Sequence, residues 1–538
     1  MSVSTLIAFS FLAGVVFHLG YFIRGQHDLA TMRYVGILAL HLVAAPWLLS
    51  IFTNLSLGVA FIKNSIVLVS FYSGLFASIL IYRLYFHRLR AFPGPKSWAI
   101  SKLFQFHANI NWRAYANFHN LHENYGLFVR VGPTELSVIH PSAPQVILGP
   151  STKCTKGVWY DMAQPLRTMH QTGDIGFHDF RRRSWDRAFS QKALQVYELI
   201  ISEYADMFIE KARQQDSKPI NLTKWSYWYA WDIVGNVGFG KRFGALESLT
   251  PHFAIANLFE YIRPMGIFIP IPWLFQIFKT IRSTASHNHP FIDWCNEQLD
   301  SRIKEKTERQ DAFHHLLKAP LMTNNDYVNR NWLEGDARLL IVAGSDTVAA
   351  VLASSCYELI RKPEYIKTLR KELESISKED GINTASLAKA PLLNAIVNEA
   401  LRLHHPVPSG LVRQTPPEGI MLGETFIPGN ITVTVPFHAL QRSPASFAEP
   451  NDFIPERWTT RPELVLHPEA FAPFSLGRYN CVGKRLAQTE IWLMLAKIVM
   501  NFDMGFAPGE DGSNLDEHLE DHFITSPGDL WVVFRSRD

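Results

Sequence analysis

Phe474-Ser475-Leu476-Gly477-Arg478-Tyr479-Asn480-Cys481-Val482-Gly483, running into the helical Lys484-Arg485-Leu486-Ala487, is the most informative stretch of this 538-residue chain. Gly477 and Gly483 bracket the cysteine and allow positive φ and close approach of a flat group to the backbone. Cys481 stands at a helix N-terminus, where free N–H groups and the helix dipole favour a thiolate. The aromatic Phe474 can cover the sulfur from water. Such a setting makes one strong anionic ligand; an inert buried cysteine in a glycine-containing turn is the competing reading. Cys154, Cys295 and Cys356 lie far apart, so neither a disulfide framework nor a zinc ribbon fits. A reducing compartment is implied, with Cys481 working alone.

Outward from this loop, about 440 residues carry no repeat or low-complexity tract, which is ample for one large core. Apolar residues recur at three-to-four spacing over Lys192 to Arg213, Trp332 to Arg361 and Ala487 to Met500. Strand-like alternation is confined to short pieces such as Leu127 to Val131 and Ile431 to Val435. The fold class is therefore mainly α with a minor β-sheet. Mid-way along the Trp332 helix, Ala343-Gly344-Ser345-Asp346-Thr347 groups residues that weaken a helix, which predicts a local kink with room for a water. Glu399-Ala400-Leu401-Arg402 places two opposite charges on one helix face. Basic and acidic residues number 52 and 49, a balance of +3 that gives no electrostatic case for nucleic acid. Charged residues make up 19%, below the usual ~25%, while 47% are hydrophobic, which excludes a disordered chain and points to membrane.

The first ninety residues are where that excess lies. Met1 to Ile23, Tyr34 to Ile62 and Ser65 to Tyr82 are free of charged residues and each reaches the ~18 needed to span the hydrocarbon. They predict an anchor over 1–90 with three spans, about 5–23, 35–62 and 65–82, against the alternative of one anchor and two interfacial helices. A cleaved signal peptide fits badly, with no basic residue ahead of the first run. Arg24 and Arg33 separate the first two runs, Lys63 the second and third, and Arg83, Arg88, Arg90, Lys96 and Lys102 come after the third. The positive-inside rule puts the long C-terminal part in the cytosol and the N-terminus in the lumen. Asn54-Leu55-Ser56 is formally a glycosylation acceptor, too near the membrane to be used. Residues 91–96, with Phe92-Pro93-Gly94-Pro95, read as a stiff hinge holding the soluble part, 97–538, off the bilayer. Met265 to Phe275 is too short and proline-broken to span; it either dips into the bilayer face or is ordinary core.

The cysteine loop resembles the haem-binding signature of the cytochrome P450 family, with Phe474, Gly477, Cys481 and Gly483 in place. It departs where the family has a basic residue two before the cysteine and this chain has Tyr479. Three further stretches stand in the family's order: Ala343-Gly344-Ser345-Asp346-Thr347, Glu399-x-x-Arg402, and Pro455-Glu456-Arg457-Trp458. The resemblance runs from Pro93 to the C-terminus. It implies the cytochrome P450 fold, haem b with Cys481 as axial ligand of the iron, and a buried network of Glu399, Arg402 and Arg457 with a folding role. It implies Ala343 and Gly344 over the haem, and Asp346 and Thr347 relaying protons. His178 and Arg182 resemble a propionate-contacting Trp-x-x-x-Arg, Arg413 matches a strand arginine for the other propionate, and the Tyr479 phenol offers one hydrogen bond.

The resemblance further implies a monooxygenase that inserts one atom of O2 into its substrate, a thiolate ligand favouring O–O cleavage. No Gly-rich dinucleotide fingerprint is present, so electrons are expected from a separate membrane-bound NADPH-cytochrome P450 reductase, docked near Arg478, Lys484 and Arg485. The pocket walls expected around Ala343, Gly157 to Gln171, Pro406 to Leu411 and Phe523 to Ser526 are mostly apolar. They favour a neutral lipophilic substrate such as a terpenoid, polyketide or indole-type metabolite. The multi-span N-terminus looks like filamentous-fungal enzymes of secondary metabolism, on the endoplasmic reticulum facing the cytosol. Two rivals stand: a reductase-independent haem-thiolate isomerase or dehydratase, against which Asp346-Thr347 argues, and a non-enzymatic haem-binding membrane protein.

Overall fold

Three long apolar helices open the chain in the computed structural model, which describes residues 2–285, 289–305 and 309–537. Ser2 caps α1 (Val3–Phe17), which runs on through a wider turn to Phe22; α2 is Thr31–Thr53 and α3 is Leu57–Ile81. Each is long and apolar enough to cross a membrane, and at most 17% of each such window is covered by protein. The exposed side chains include Phe9, Leu40, Val43 and Phe52, a surface that water would penalise and lipid would not. α1 and α3 touch backbone to backbone. A Cβ on Gly14 would lie 2.0 Å from the Phe71 carbonyl oxygen, and one on Gly74 equally close to that of Phe11.

The break expected at Lys63 falls instead at Asn54–Ser56. Asn54 takes the left-handed conformation that ends α2, and the Ser56 hydroxyl accepts the Val59 N–H to start α3, leaving Lys63 inside that helix. Nor is the Pro-Gly segment a free spacer. The Pro93 carbonyl accepts the Arg130 N–H at 2.7 Å, and Gly94 lies so close to that strand that a Cβ would meet the Arg130 carbonyl oxygen at 2.3 Å. The loop between α1 and α2 also rests on the remaining fold, with Gln26 Nε2 donating to Gln414 Oε1 at 2.6 Å. The rest of the chain sits against the three apolar helices because separate segments tie it there.

Helices dominate the rest of the chain: α4 (Ile175–Ala188), α5 (Gln191–Gln214), α6 (Leu222–Phe239), α7 (Pro272–Ala285), α8 (Asp326–Arg361), α9 (Pro391–Leu403) and α10 (Lys484–Asn501). α8 also passes the length and apolarity test for a span, but 72% of its window is buried by protein, chiefly by α6 and α10. Its apolar residues serve a protein core. α7 packs against α2, and Ile271 and Pro272 are buried or nearly so, so the Met265 to Phe275 segment is covered by protein on one side and faces the anchor on the other.

The principal sheet is built from β1 (Phe128–Gly132), β2 (Glu135–Val138), β3 (Thr155–Lys156), β4 (Leu411–Gln414) and, beyond a hairpin of β5 (Ile420–Leu422) and β6 (Thr425–Ile427), β7 (Thr432–Val435). Its order is β1-β2-β7-β4-β3, with β2 and β7 parallel and the other pairs antiparallel. The register sets Lys156 of β3 opposite Arg413 of β4.

Just past α9, His404 makes a buried polar contact whose titration should be measurable. Its Nε2 lies 2.8 Å from Glu358 Oε1 and its Nδ1 3.5 Å from Asp516 Oδ1. Burial favours the neutral ring, but these two carboxylates outweigh it and lift the pKa to about 9. Because the folded value lies above the free value of 6.5, the contribution is complete below pH 6.5 and disappears as pH rises through about 9. The melting temperature is expected to fall across that window in the parent protein, with a visibly flatter slope in His404→Gln. Equal slopes would show that the pair contributes nothing.

Candidate active site

The cysteine loop is held in place from both ends. The Cys481 N–H donates to the Phe474 carbonyl at 2.9 Å, and Gly477 at φ 62° lies where a Cβ would be 2.6 Å from the Gly149 backbone. Gly483 does not need positive φ as expected: it has φ −81° and forms the N-cap of α10. Cys481 is accessible although protein crowds it closely. Burial pushes the thiol pKa up, while the Gly483 and Lys484 N–H groups and the charges of Arg182 and Lys484 pull it back toward thiolate.

α8 passes this region without interruption, so the expected kink is absent. Its weak residues are reconciled by side chains that bond back along the helix: Ser345 Oγ donates to the Ile341 carbonyl at 2.8 Å and Thr347 Oγ1 to that of Ala343 at 3.0 Å. Ala343 is exposed in the middle of a helix buried along most of its length, whereas Ser345 and Asp346 are buried. Gly344 owes its size to α6, since a Cβ there would stand 2.6 Å from Val234 Cγ2. Asp346 accepts from Ser345 Oγ at 3.1 Å through one oxygen, and its other oxygen has no partner. Burial lifts its pKa to about 7.

The third component is a cationic cage around Tyr479. Lys156 Nζ stands 4.7 Å and Arg413 Cζ 5.0 Å from the centre of the phenol ring, and the His178 ring meets it edge-on at 4.7 Å. Lys156 also donates to the carbonyls of Met169 and His170, and Arg413 Nη1 to the Tyr160 hydroxyl at 3.0 Å. Arg413 Nε and His170 Nε2 are buried without a partner. Burial first, then the neighbouring cations, pushes Lys156 well down and His170 to about 3; burial likewise takes His178 to about 4.

Arg182 is not free for a propionate. It donates to the Asn480 carbonyl at 2.9 Å, to Asn480 Oδ1 at 2.7 Å and to Asp186 at 2.8 Å, so it clamps the cysteine loop. Arg478, expected on a docking face, is ion-paired with Asp179, which also engages His178 Nδ1 at 2.9 Å. Lys484 and Arg485 lie at the surface at the start of α10.

Glu399, Arg402 and Arg457 meet in full burial. Arg402 grips Glu399 with two hydrogen bonds of 2.9 and 2.8 Å, Arg457 adds one of 2.8 Å, and the Trp458 indole and the Ile454 N–H complete the set. Burial alone would raise the Glu399 pKa, but these donors hold it below the usual range. The remaining arginine donors find carbonyls such as Gln441 and Ala448.

Haem fits these residues. An accessible cysteine at a helix start suits an axial ligand, the exposed Ala343 face of a buried helix suits a flat group, and a cage of cations with an unpartnered donor suits two carboxylates. Tyr479 supplies a ring on which Lys156 and Arg413 stack, which brings a basic side chain from β3 beside the position that lacks one. Sequence reading missed Lys156 because nothing in Thr155-Lys156-Gly157 announces that β3 will pair with β4. Replacing Lys156 with methionine is expected to speed haem loss to an acceptor such as apomyoglobin by about 10–100-fold, the weight of one charge-assisted hydrogen bond. A loss rate equal to the parent's would remove it from the cage.

A thiolate loop, a buried acid–alcohol helix and a cationic cage on a helical fold with a minor sheet define a haem-thiolate protein. The model of the cytochrome P450 family matches residues 92–531, and the chain belongs to that family. It is 37% identical to cytochrome P450 monooxygenase notG' of Aspergillus versicolor over 529 residues, covering 98% of this chain and 97% of that one. It is 38% identical to tryprostatin B 6-hydroxylase of Aspergillus fumigatus, covering 98% and 95%. With the cytochrome P450 monooxygenase lcsK of Purpureocillium lilacinum it shares 35% over 98% of each chain. The protein is a cytochrome P450 monooxygenase.

Proposed function

We propose that this enzyme inserts one oxygen atom from O2 into a neutral lipophilic metabolite of fungal secondary metabolism, using electrons from a separate NADPH-cytochrome P450 reductase. The observation that carries the reading is Asp346: buried, with one free oxygen and a pKa near neutrality, it can take up and release a proton beside Thr347. An isomerase or dehydratase has no use for that relay. Haem, when bound through Cys481, supplies the oxygen-activating chemistry; the chain positions it, excludes water and delivers protons. The substrate enters a cleft lined by Val158, Trp159, Val412 and Phe523 together with polar residues such as Gln105 and Ser409, and its one lysine, Lys102, is already paired with Glu135. The hydroxylase named among its relatives acts on tryprostatin B, and an indole-type metabolite stands beside a terpenoid or polyketide as the substrate class.

The three apolar helices cross the endoplasmic reticulum membrane, with the catalytic part on the cytosolic side and the N-terminus in the lumen. Contact between the α1–α2 loop and the catalytic part supports three spans, since both then lie on one face, and the basic residues after the third span favour the cytosolic side. A catalytic part sealed inside microsomes in a protease-protection assay would reverse the topology.

Deleting the gene in its host and comparing metabolites by mass spectrometry tests the reaction. An accumulating compound lighter than the lost product by one oxygen is expected; an isomer, or a species differing by water, would point to reductase-independent chemistry. In the purified enzyme, Asp346→Asn is expected to slow product formation by about 100-fold and to divert NADPH into hydrogen peroxide. Unchanged coupling of NADPH to product would exclude Asp346 from the relay.

A further inference from the structure

Where α3 leaves the anchor, the chain forms a cleft that neither catalysis nor anchoring accounts for. It measures about 500 Å³ and lies between the end of the third apolar helix and the β5–β6 hairpin, with Phe86, Arg88, Arg90, Phe426 and Pro428 among its walls. Arg88 and Arg90 are exposed and make no ion pair among the described residues; one Arg90 donor reaches the Tyr85 carbonyl at 2.9 Å. The one acid in the wall, Glu418, is already engaged by Lys153 at 3.0 Å.

Its rim is apolar in a place where apolar side chains have no protein to cover them. Phe86 is 66% exposed, Phe426 53% and Met421, on the same hairpin, 55%. Phe86 ends the helical stretch long enough to cross a membrane, so this rim lies at the end of that stretch from which the chain enters the remaining fold. Two unpaired guanidinium groups beside an aromatic rim, at the edge of a bilayer, match a molecule with an anionic head and apolar tails. Arginine is well suited to the head because its fork meets a phosphate through two donors.

We propose that this cleft binds the headgroup of one anionic glycerophospholipid, with its phosphate between Arg88 and Arg90 and its acyl chains along Phe86 and Phe426. The hairpin then lies in the interface and fixes the tilt of the catalytic part on the membrane. The site rests on the reading of α1–α3 as membrane spans and is independent of the oxygenation chemistry.

The test uses the full-length haem-loaded protein in nanodiscs of phosphatidylcholine with a minor share of phosphatidylserine, and native mass spectrometry to count retained lipids. The parent is expected to keep phosphatidylserine well above its share. Arg88→Gln with Arg90→Gln is expected to lower that preference by about 30-fold, two cations each acting at the membrane surface. Phe426→Ser is expected to weaken retention in the same direction without touching either charge, and it stands in if the double variant loses its carbon-monoxide spectrum. Arg24→Gln with Arg33→Gln, the cations between α1 and α2, should leave the preference intact. A preference unchanged in the Arg88/Arg90 variant, or lost equally in the Arg24/Arg33 variant, overturns the site in favour of general surface attraction. A parent protein that fails to enter nanodiscs at all would instead refute the membrane-span reading.

Discussion

Cys481→Ala is expected to abolish the red-shifted Soret band of the reduced carbon-monoxide complex entirely. That band requires a thiolate on the iron, and no other cysteine is placed to supply one. Cys154, Cys295 and Cys356 are buried, and burial holds their thiols protonated, Cys356 with a pKa raised to about 12. Cys481 alone combines access with the N–H groups of Gly483 and Lys484 and a nearby guanidinium. A Cys481→His variant separates ligand identity from folding, since it should hold haem while its carbon-monoxide band stays unshifted. A red-shifted band surviving in the alanine variant would disprove the assignment of the axial ligand.

Glu399→Gln is expected to cost about 3–5 kcal/mol of stability, the usual penalty for stranding buried charge, and to weaken haem retention with it. Glutamine keeps the shape but removes the charge that Arg402 and Arg457 share, and both guanidinium groups are almost completely buried. The midpoint of urea unfolding, followed by Soret absorbance and by tryptophan fluorescence, reads both effects. The exposed pair Arg242–Glu203 provides the contrast: neutralising it should change little, because water screens it. A shift for Glu399→Gln as small as that control would mean that the network is not needed for folding.

The chain showed some parts of this architecture more openly than others. Where the signal is local, it was legible: the long helices at Gln191, Asp326 and Lys484 arise from apolar spacing. Where one local signal competes with another, the reading slipped. Lys63 looked like a break between spans because it is charged, yet it lies within two turns of the Ser56 cap, near enough to the helix end for its ammonium to reach the interface. The glycine and hydroxyl residues at 344–347 looked like a kink, but the hydroxyls are satisfied on carbonyls of the preceding turn while the helix runs on, and Val234 explains the glycine.

By itself the sequence picked out the cysteine loop, the apolar helices and the members of the buried charge network, because each is written in residue types at short, fixed spacing. Only the tertiary structure decided who surrounds them. Lys156 meets Arg413 because the register of two strands far apart in the chain sets them opposite each other, and Tyr479 stacks under both because the cysteine loop ends beside that sheet. Arg182 looked like a haem contact and became a clamp on Asn480, and Gln26 of the anchor reached Gln414 of the catalytic part. Short-range spacing carries propensity and chemistry. Which charged or polar groups end within a few ångströms of one another is settled only when the whole core packs, since burial of apolar surface elsewhere fixes their positions.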